Sequence, residues 1–383
     1  MVQWSQSLVS VSSCFSKGVH AGRTAYRRVE VNLVEFPELK EHWMSHPEDG
    51  SGREWLLSVA KYTEDYFQTG GRVGPWMKKF QSIRHHIVEN AWQMAMAGLP
   101  VEDGACINLV AFGSTARAED LLYSDLDHGV LFCSTRPAQN PVWQTAITQA
   151  LRKFSRNLLE FGFPPCHGYV MALNDRWFGT SEQWRGRIKH YTSFPDWEQT
   201  RYLLIMLDGR SVLQPADSEW AVLWEQVAST VRASAFLQWE AAHLGIAATA
   251  PSRLADLPWV GRPKAGDVLN VKERILSPLI DSLRLWSVTE GCTDISSQDR
   301  IKFLREHQIM QPSLLDSIEV ALQDGWRLRL IHQATCLQAG RDPEQLLRWG
   351  ELSELDQAVV LRHLGTVQEL VRQGKRKFRK PRS

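Results

Sequence analysis

The sequence predicts an α+β fold: a small mixed sheet with flanking helices, preceded by a mainly helical region and followed by a helical bundle. Three observations predict it. A short apolar run, Ile107 to Phe112, stops at Gly113 as a buried strand stops at a tight turn. A second strand pattern, Asp125 to Phe132, follows after a polar helical segment. From residue 217 onward the apolar residues recur with helical spacing, interrupted only by Pro and Gly.

The elements follow in order. Residues 30–48 and 52–69, punctuated by Pro37, Pro47, Gly50 and Gly52, read as two short helices. Residues 75–98 read as a third, because Trp76, Phe80, Ile83, Ile87, Ala91 and Met94 recur every three or four positions and form one buried stripe. After the loop 99–105 comes the first strand. Ser114 is then placed to cap a helix that starts near Thr115 and ends around Leu122. The second strand spans 125–132, and residues 140–161 form the next helix. Residues 166–173 read as a further strand and 196–213 as a long helix. Helical periodicity covers 217–247, 268–290, 296–307, 312–339 and 353–373. No low-complexity linker separates these segments, so the bundle is expected to pack directly on the core. The resulting division is a helical region 1–98, a core 99–215, a helical domain 216–373 and a basic, disordered tail 374–383.

Chemistry concentrates in the segment from Ile107 to Phe132. Gly113 has no side chain, and the free N–H groups of a helix start favour an anion, so the Gly113-Ser114 turn reads as a phosphate seat. On a strand, side chains two apart share a face, so Asp125 and Asp127 project together while Leu126 points to the core. Two adjacent carboxylates need a positive charge between them. Hard oxygen ligands suit Mg²⁺ or Mn²⁺ bound together with substrate phosphates. A Gly-Ser turn alone is usually a capped turn, and an Asp-x-Asp alone is usually a solvated strand end. Their order, with eleven positions from Ser114 to Asp125, points to a nucleotide site.

These residues resemble the nucleotidyltransferase superfamily typified by DNA polymerase beta, whose motif is Gly-Ser followed by a strand bearing Asp-x-Asp. Within it, Gly113-Ser114, Arg117, Glu119 and Ser124-Asp125-Leu126-Asp127 look most like a group of unassigned function. That group is related to the PII uridylyltransferase and often fused to CBS or cyclic-nucleotide-binding domains. Ala116 and Ala118 depart from its pattern, which usually has Gly there. The resemblance continues through Gly162 to Ala172, Asn174 to Trp177, Tyr202 to Arg210, Asp267 to Lys272, Ile280 to Leu285 and Arg327 to Gln333, roughly residues 85–373.

The resemblance implies a polymerase-beta-like core in which Asp125 and Asp127 are catalytic metal ligands. Gly113, Ser114, Arg117, Glu119 and Ser124 would bind nucleotide, and Lys272 and Arg284, at basic positions of the helical domain, would face phosphate or form ion pairs. A third carboxylate normally completes such a site. Asp208, with Arg210, matches the family's Asp-x-Arg and is the catalytic candidate, with Glu198 as the alternative. His128 points away from Asp127 and reads as a packing residue.

Composition bounds the partners. Lys plus Arg number 44 against 43 Asp plus Glu, so no general attraction to nucleic acid is expected. The six cysteines show no metal-ligand spacing and read as buried, reduced thiols of a cytoplasmic protein. No apolar stretch is long enough to span a membrane, and Met1 to Gly18 lacks a signal-peptide pattern. The sixteen tryptophans are dispersed, as packing residues are; Trp177 is the candidate to touch a nucleobase.

The function expected is transfer of a nucleoside monophosphate from a nucleoside triphosphate to a hydroxyl acceptor, on a protein or a small molecule, with Mg²⁺ or Mn²⁺. Two other classes stand beside it: a regulatory module that senses nucleotide without turnover, and a helical interaction protein with a residual site.

Overall fold

Strand β1 (Ile107–Ala111) is the interior strand around which the core is built, and its last four residues are buried. It pairs antiparallel with β2 (His128–Phe132), Val110 opposite Gly129, and on its other side with the short β4 (Arg210–Ser211). β3 (Phe178–Thr180) runs parallel to β2, which gives the order β3-β2-β1-β4 and a mixed sheet, as the sequence predicts. The computed structural model describes residues 36–37, 51–99, 107–132, 141–213, 219–247, 263–343 and 346–381, all within one unit spanning Val34–Ser383.

Helices cover the sheet. α1 (Ser51–Gln68) and α2 (Val73–Met96) pack through their aromatic residues, Phe80 lying 6.0 Å from Trp55 and 4.7 Å from Trp76 between ring centroids. The predicted stripe of α2 is buried at Trp76, Phe80, Ile87 and Ala91. Of the helix expected at 30–48 only Phe36 and Pro37 are among the described residues, and neither is helical. The motif turn enters the short α3 (Gly113–Arg117). α4 (Pro141–Glu160) packs against α2, with Phe154 edge-on to Trp92. α5 (Ser181–Ser193) is opened by a capping box between Thr180 and Gln183, and α6 (Trp197–Met206) is capped by Asp196.

Four local expectations need correction. The helix after Gly113 stops at Arg117 rather than near Leu122. Ala118 adopts a left-handed conformation (φ 57°), and the Glu119 N–H closes back on the Ser114 carbonyl at 2.8 Å. The second strand begins at His128, so Asp125 and Asp127 lie on the extended segment leading into it. Residues 166–173 form turns, with Tyr169 at φ 54°, and the position beside β2 belongs to β3. The helix expected over 196–213 ends at Met206. There Gly209 turns the chain under Trp220, whose ring would lie 2.5 Å from a Cβ at that position.

The C-terminal part is helical as predicted: α7 (Glu219–Ala233), α8 (Ala235–Glu240), α9 (Ser277–Thr289), α10 (Ser297–Glu306), α11 (Pro312–Gln338) and α12 (Glu354–Lys377). Two π-helical turns, Ala241–Ile246 and Lys272–Leu276, interrupt it, and a two-strand ribbon joins β5 (Val268–Leu269) to β6 (Leu347–Arg348). The first part of the basic run, Lys375 to Lys377, is helical. These residues form the last turn of α12, and Phe378 just beyond it is buried edge-on to Trp286. Among the described residues, no helix is long and apolar enough to cross a membrane.

Candidate active site

A cavity of about 450 Å³ opens between the sheet core and the helical part. Its core wall carries Gly113, Ser114, Arg117, Glu119, Ser124, Asp125 and Asp127, and its helical wall carries Asn270, Lys272, Glu273, Trp326 and Arg329. The structure thus brings together Gly113, Ser114, Arg117, Glu119, Ser124 and Lys272 with both metal-ligand candidates, but not Trp177. The π turn Lys272–Leu276 contributes Lys272, Glu273 and Leu276, consistent with the tendency of such turns to sit at functional sites.

The motif loop is held from behind. Asp120, fully buried, accepts from the hydroxyls of Ser114 at 2.8 Å and Thr115 at 3.0 Å. Arg84 lies 3.6 Å from Asp120, donates to the Ser124 carbonyl at 2.8 Å and stacks on Phe163. The Ser124 hydroxyl accepts from Leu121 N–H at 2.9 Å, so Ser124 shapes the turn as well as lining the cavity.

Gly113 has φ +60°, and a Cβ there would stand 3.0 Å from Asp127 Oδ2. Glycine therefore allows both the turn and the close approach of the carboxylate. The Phe112 N–H donates to the Asp127 carbonyl at 2.8 Å, which locks the two motif segments side by side. Asp125 and Asp127 are half-buried, and their oxygens lie with Cys166 Sγ within 4.8 Å of one another. Two carboxylates and a thiol this close fit a divalent cation. Burial, and then the charge of Asp125, raise the Asp127 carboxyl above its ordinary value. Burial, followed by Asp127, pushes the Cys166 thiol up to about 12. On the facing wall burial lowers Arg329 to about 10, opposed by Asp125.

Asp208 is not in this cavity. Its carboxylate accepts from Arg117 and Arg300 at 2.7 Å each and from Arg284 at 2.5 Å. Burial alone would raise this carboxyl, but Arg284, Arg300 and Arg117 hold it well below the usual carboxylate range. The cluster closes with Glu119 on Arg117 and Asp281 on Arg284, three guanidinium groups against three carboxylates. Glu119 also accepts from the Ser297 N–H at the start of α10, at 3.0 Å. Arg117 and Glu119 therefore line the cavity and tie the core to the helical part at once. The third catalytic carboxylate expected at Asp208 is committed to ion pairing, a role that depends on arginines far away in sequence.

The other candidates fall elsewhere. Glu198 is on the exposed first turn of α6, paired with Tyr202 and 3.8 Å from Arg176. Trp177 is buried against Phe112, Trp184 and Tyr202, and so packs the core. His128 is buried edge-on to Phe154, with Nδ1 2.9 Å from the Leu126 carbonyl. Arg84, Asp120, Cys166, Arg300 and Arg329 escaped the sequence reading. Cys166 and Arg329 lie within family-like segments, and Asp120 within the motif segment, but no spacing singled out any of the five.

Two family models match the chain. Residues 58–198 match the model described as "Putative nucleotidyltransferase DUF294", and residues 235–378 match "Putative nucleotidyltransferase substrate binding domain". The first match begins inside α1 and includes α2. No curated protein matches the chain.

Proposed function

Because the chain belongs to the DUF294 nucleotidyltransferase family, we propose that it transfers a nucleoside monophosphate from a triphosphate to a hydroxyl acceptor and releases pyrophosphate. The observation that carries this reading is the cavity itself, with the Gly-Ser turn and paired carboxylates on one wall and Lys272 and Arg329 on the other. Asp125 and Asp127 would hold Mg²⁺ or Mn²⁺, which when bound draws charge from the attacking and leaving oxygens. Gly113 lets the phosphate chain approach the backbone, and Lys272 and Arg329 offset its charge from across the cleft. The acceptor oxygen attacks the α-phosphorus, the bond to pyrophosphate breaks, and the hydroxyl proton passes to solvent. A protein hydroxyl is the first acceptor class to try, following the resemblance to the uridylyltransferase.

Calorimetric titration with each ribonucleoside triphosphate, with and without Mg²⁺ or Mn²⁺, tests the reading. Metal-dependent binding that is lost in an Asp125→Asn/Asp127→Asn variant supports it; no binding by the folded protein overturns it. Label transfer from an α-labelled triphosphate then identifies the acceptor. One observation favours a second reading, nucleotide sensing without turnover: Asp208 is withheld from the carboxylate pair by three arginines. Binding without pyrophosphate release in the presence of cell extract would select it.

A further inference from the structure

We propose that Cys166 is the third ligand of the metal site, so that the site takes a divalent cation through two carboxylates and a thiolate. The inference rests on the reading of this cavity as a nucleotidyl-transfer site, but it concerns which protein atoms bind the metal and which metal they prefer.

The other carboxylates near the site are engaged or out of reach. Asp208 has both oxygens on guanidinium groups. Glu119 lines the cavity, yet Oε2 accepts from Arg117 at 2.7 Å and Oε1 from the Ser297 N–H at 3.0 Å. Glu273 stands on the facing wall, outside the group of donor atoms that lie within 4.8 Å of one another. Among the described residues that group is Asp125, Asp127 and Cys166.

The thiol is positioned rather than merely near. Cys166 Sγ donates to Asp127 Oδ1 at 2.8 Å, while Asp127 Oδ2 faces the bare Cα of Gly113, where a Cβ would come to 3.0 Å. Among the described residues no group donates a hydrogen bond to the Asp125 carboxylate, which leaves its oxygens available. When a divalent ion binds, the S–H bond breaks, a metal–sulfur bond forms and the proton leaves to buffer. The buried, free state of the cysteine fits such an exchange. A thiolate ligand favours Mn²⁺, Co²⁺ or Zn²⁺ over Mg²⁺ relative to an all-oxygen site, because sulfur is the softer donor.

Titration of the whole protein with Co²⁺ alone tests this, followed by near-ultraviolet absorption and repeated with a non-hydrolysable triphosphate. A thiolate-to-cobalt charge-transfer band is expected in the wild type and in Cys292→Ser. It is expected to vanish in Cys166→Ser, whose Co²⁺ affinity should fall by about ten- to a hundredfold. The same variant should lose little Mg²⁺ affinity, since its hydroxyl remains a hard donor. Cobalt bound without the band, a band that persists in Cys166→Ser, or no cobalt bound under either condition would overturn the assignment. Because the readout needs no turnover, nucleotidyl transfer without the band rejects the thiolate alone, whereas a band without nucleotide binding rejects the functional reading. Circular dichroism and a melting curve of Cys166→Ser establish that it is folded. Cys166→Ala serves as a second variant if it is not.

Discussion

Arg300 reaches from α10 to place its guanidinium 2.7 Å from Asp208, just past the end of α6, and both side chains are buried. This pair, with Arg117 and Arg284, carries the charge balance between the sheet core and the helical part. Asp208→Asn leaves three buried guanidinium groups facing two carboxylates, and breaking a buried pair from one side costs about 3–5 kcal/mol. Urea denaturation should show a loss of that order. Metal binding by the folded fraction should persist; its disappearance without loss of stability would instead return Asp208 to the metal site.

The same pair sets an acid limit. The folded-state pKa of Asp208 is depressed below the unfolded value of about 3.9. Its contribution to stability is therefore fully present above that value and is lost as pH falls from there toward the folded pKa. Urea midpoints measured across pH should show no Asp208-dependent change between about pH 5 and 8. A decline below about pH 4 should be present in the wild type and weaker in Asp208→Asn.

Gly113→Ala should impair the site more than the fold. Its backbone is left-handed, which costs a side-chain-bearing residue about 1–2 kcal/mol, and its Cβ meets Asp127 Oδ2 at 3.0 Å. Metal-dependent triphosphate binding measured by calorimetry should weaken by at least about tenfold, the equivalent of about 1.4 kcal/mol. Unchanged affinity would show that the Asp127 position does not depend on the glycine.

Trp177 supplies a contrast. Trp177→Ala removes a ring buried among Phe112, Trp184 and Tyr202 and should cost about 3–5 kcal/mol of stability. Trp177→Phe should remain folded and leave triphosphate affinity unchanged. A drop in affinity for the phenylalanine variant, with its melting temperature preserved, would restore the nucleobase contact.

Much of the core was legible because it rests on local signals. The apolar run of β1, the glycine that ends it and the spacing of Asp125 and Asp127 all act over a few residues, and the structure unites the residues they name. What was not legible depends on distant partners. Asp208 meets Arg284 and Arg300 across separations of 76 and 92 residues, and no spacing rule marks an ion pair that long. Cys166 comes to Asp127 from 39 positions away as a single cysteine without a ligand pattern. The strand expected at 166–173 failed because its short apolar run, Val170 to Leu173, sits beside a turn at Tyr169. The long helix over 196–213 failed because close packing at Gly209 overrode the apolar periodicity.

The six-group charge cluster also bears on how the gene product can be divided. The core contributes one guanidinium, Arg117, against the carboxylates of Glu119 and Asp208, while the helical part contributes Arg284 and Arg300 against Asp281. Each half expressed by itself would present an unbalanced charge, of opposite sign, on a surface built to be dry. Neither half is suited to exchange with a domain lacking the matching groups. Split polypeptides that retain both sets carry their own recognition code for reassembly.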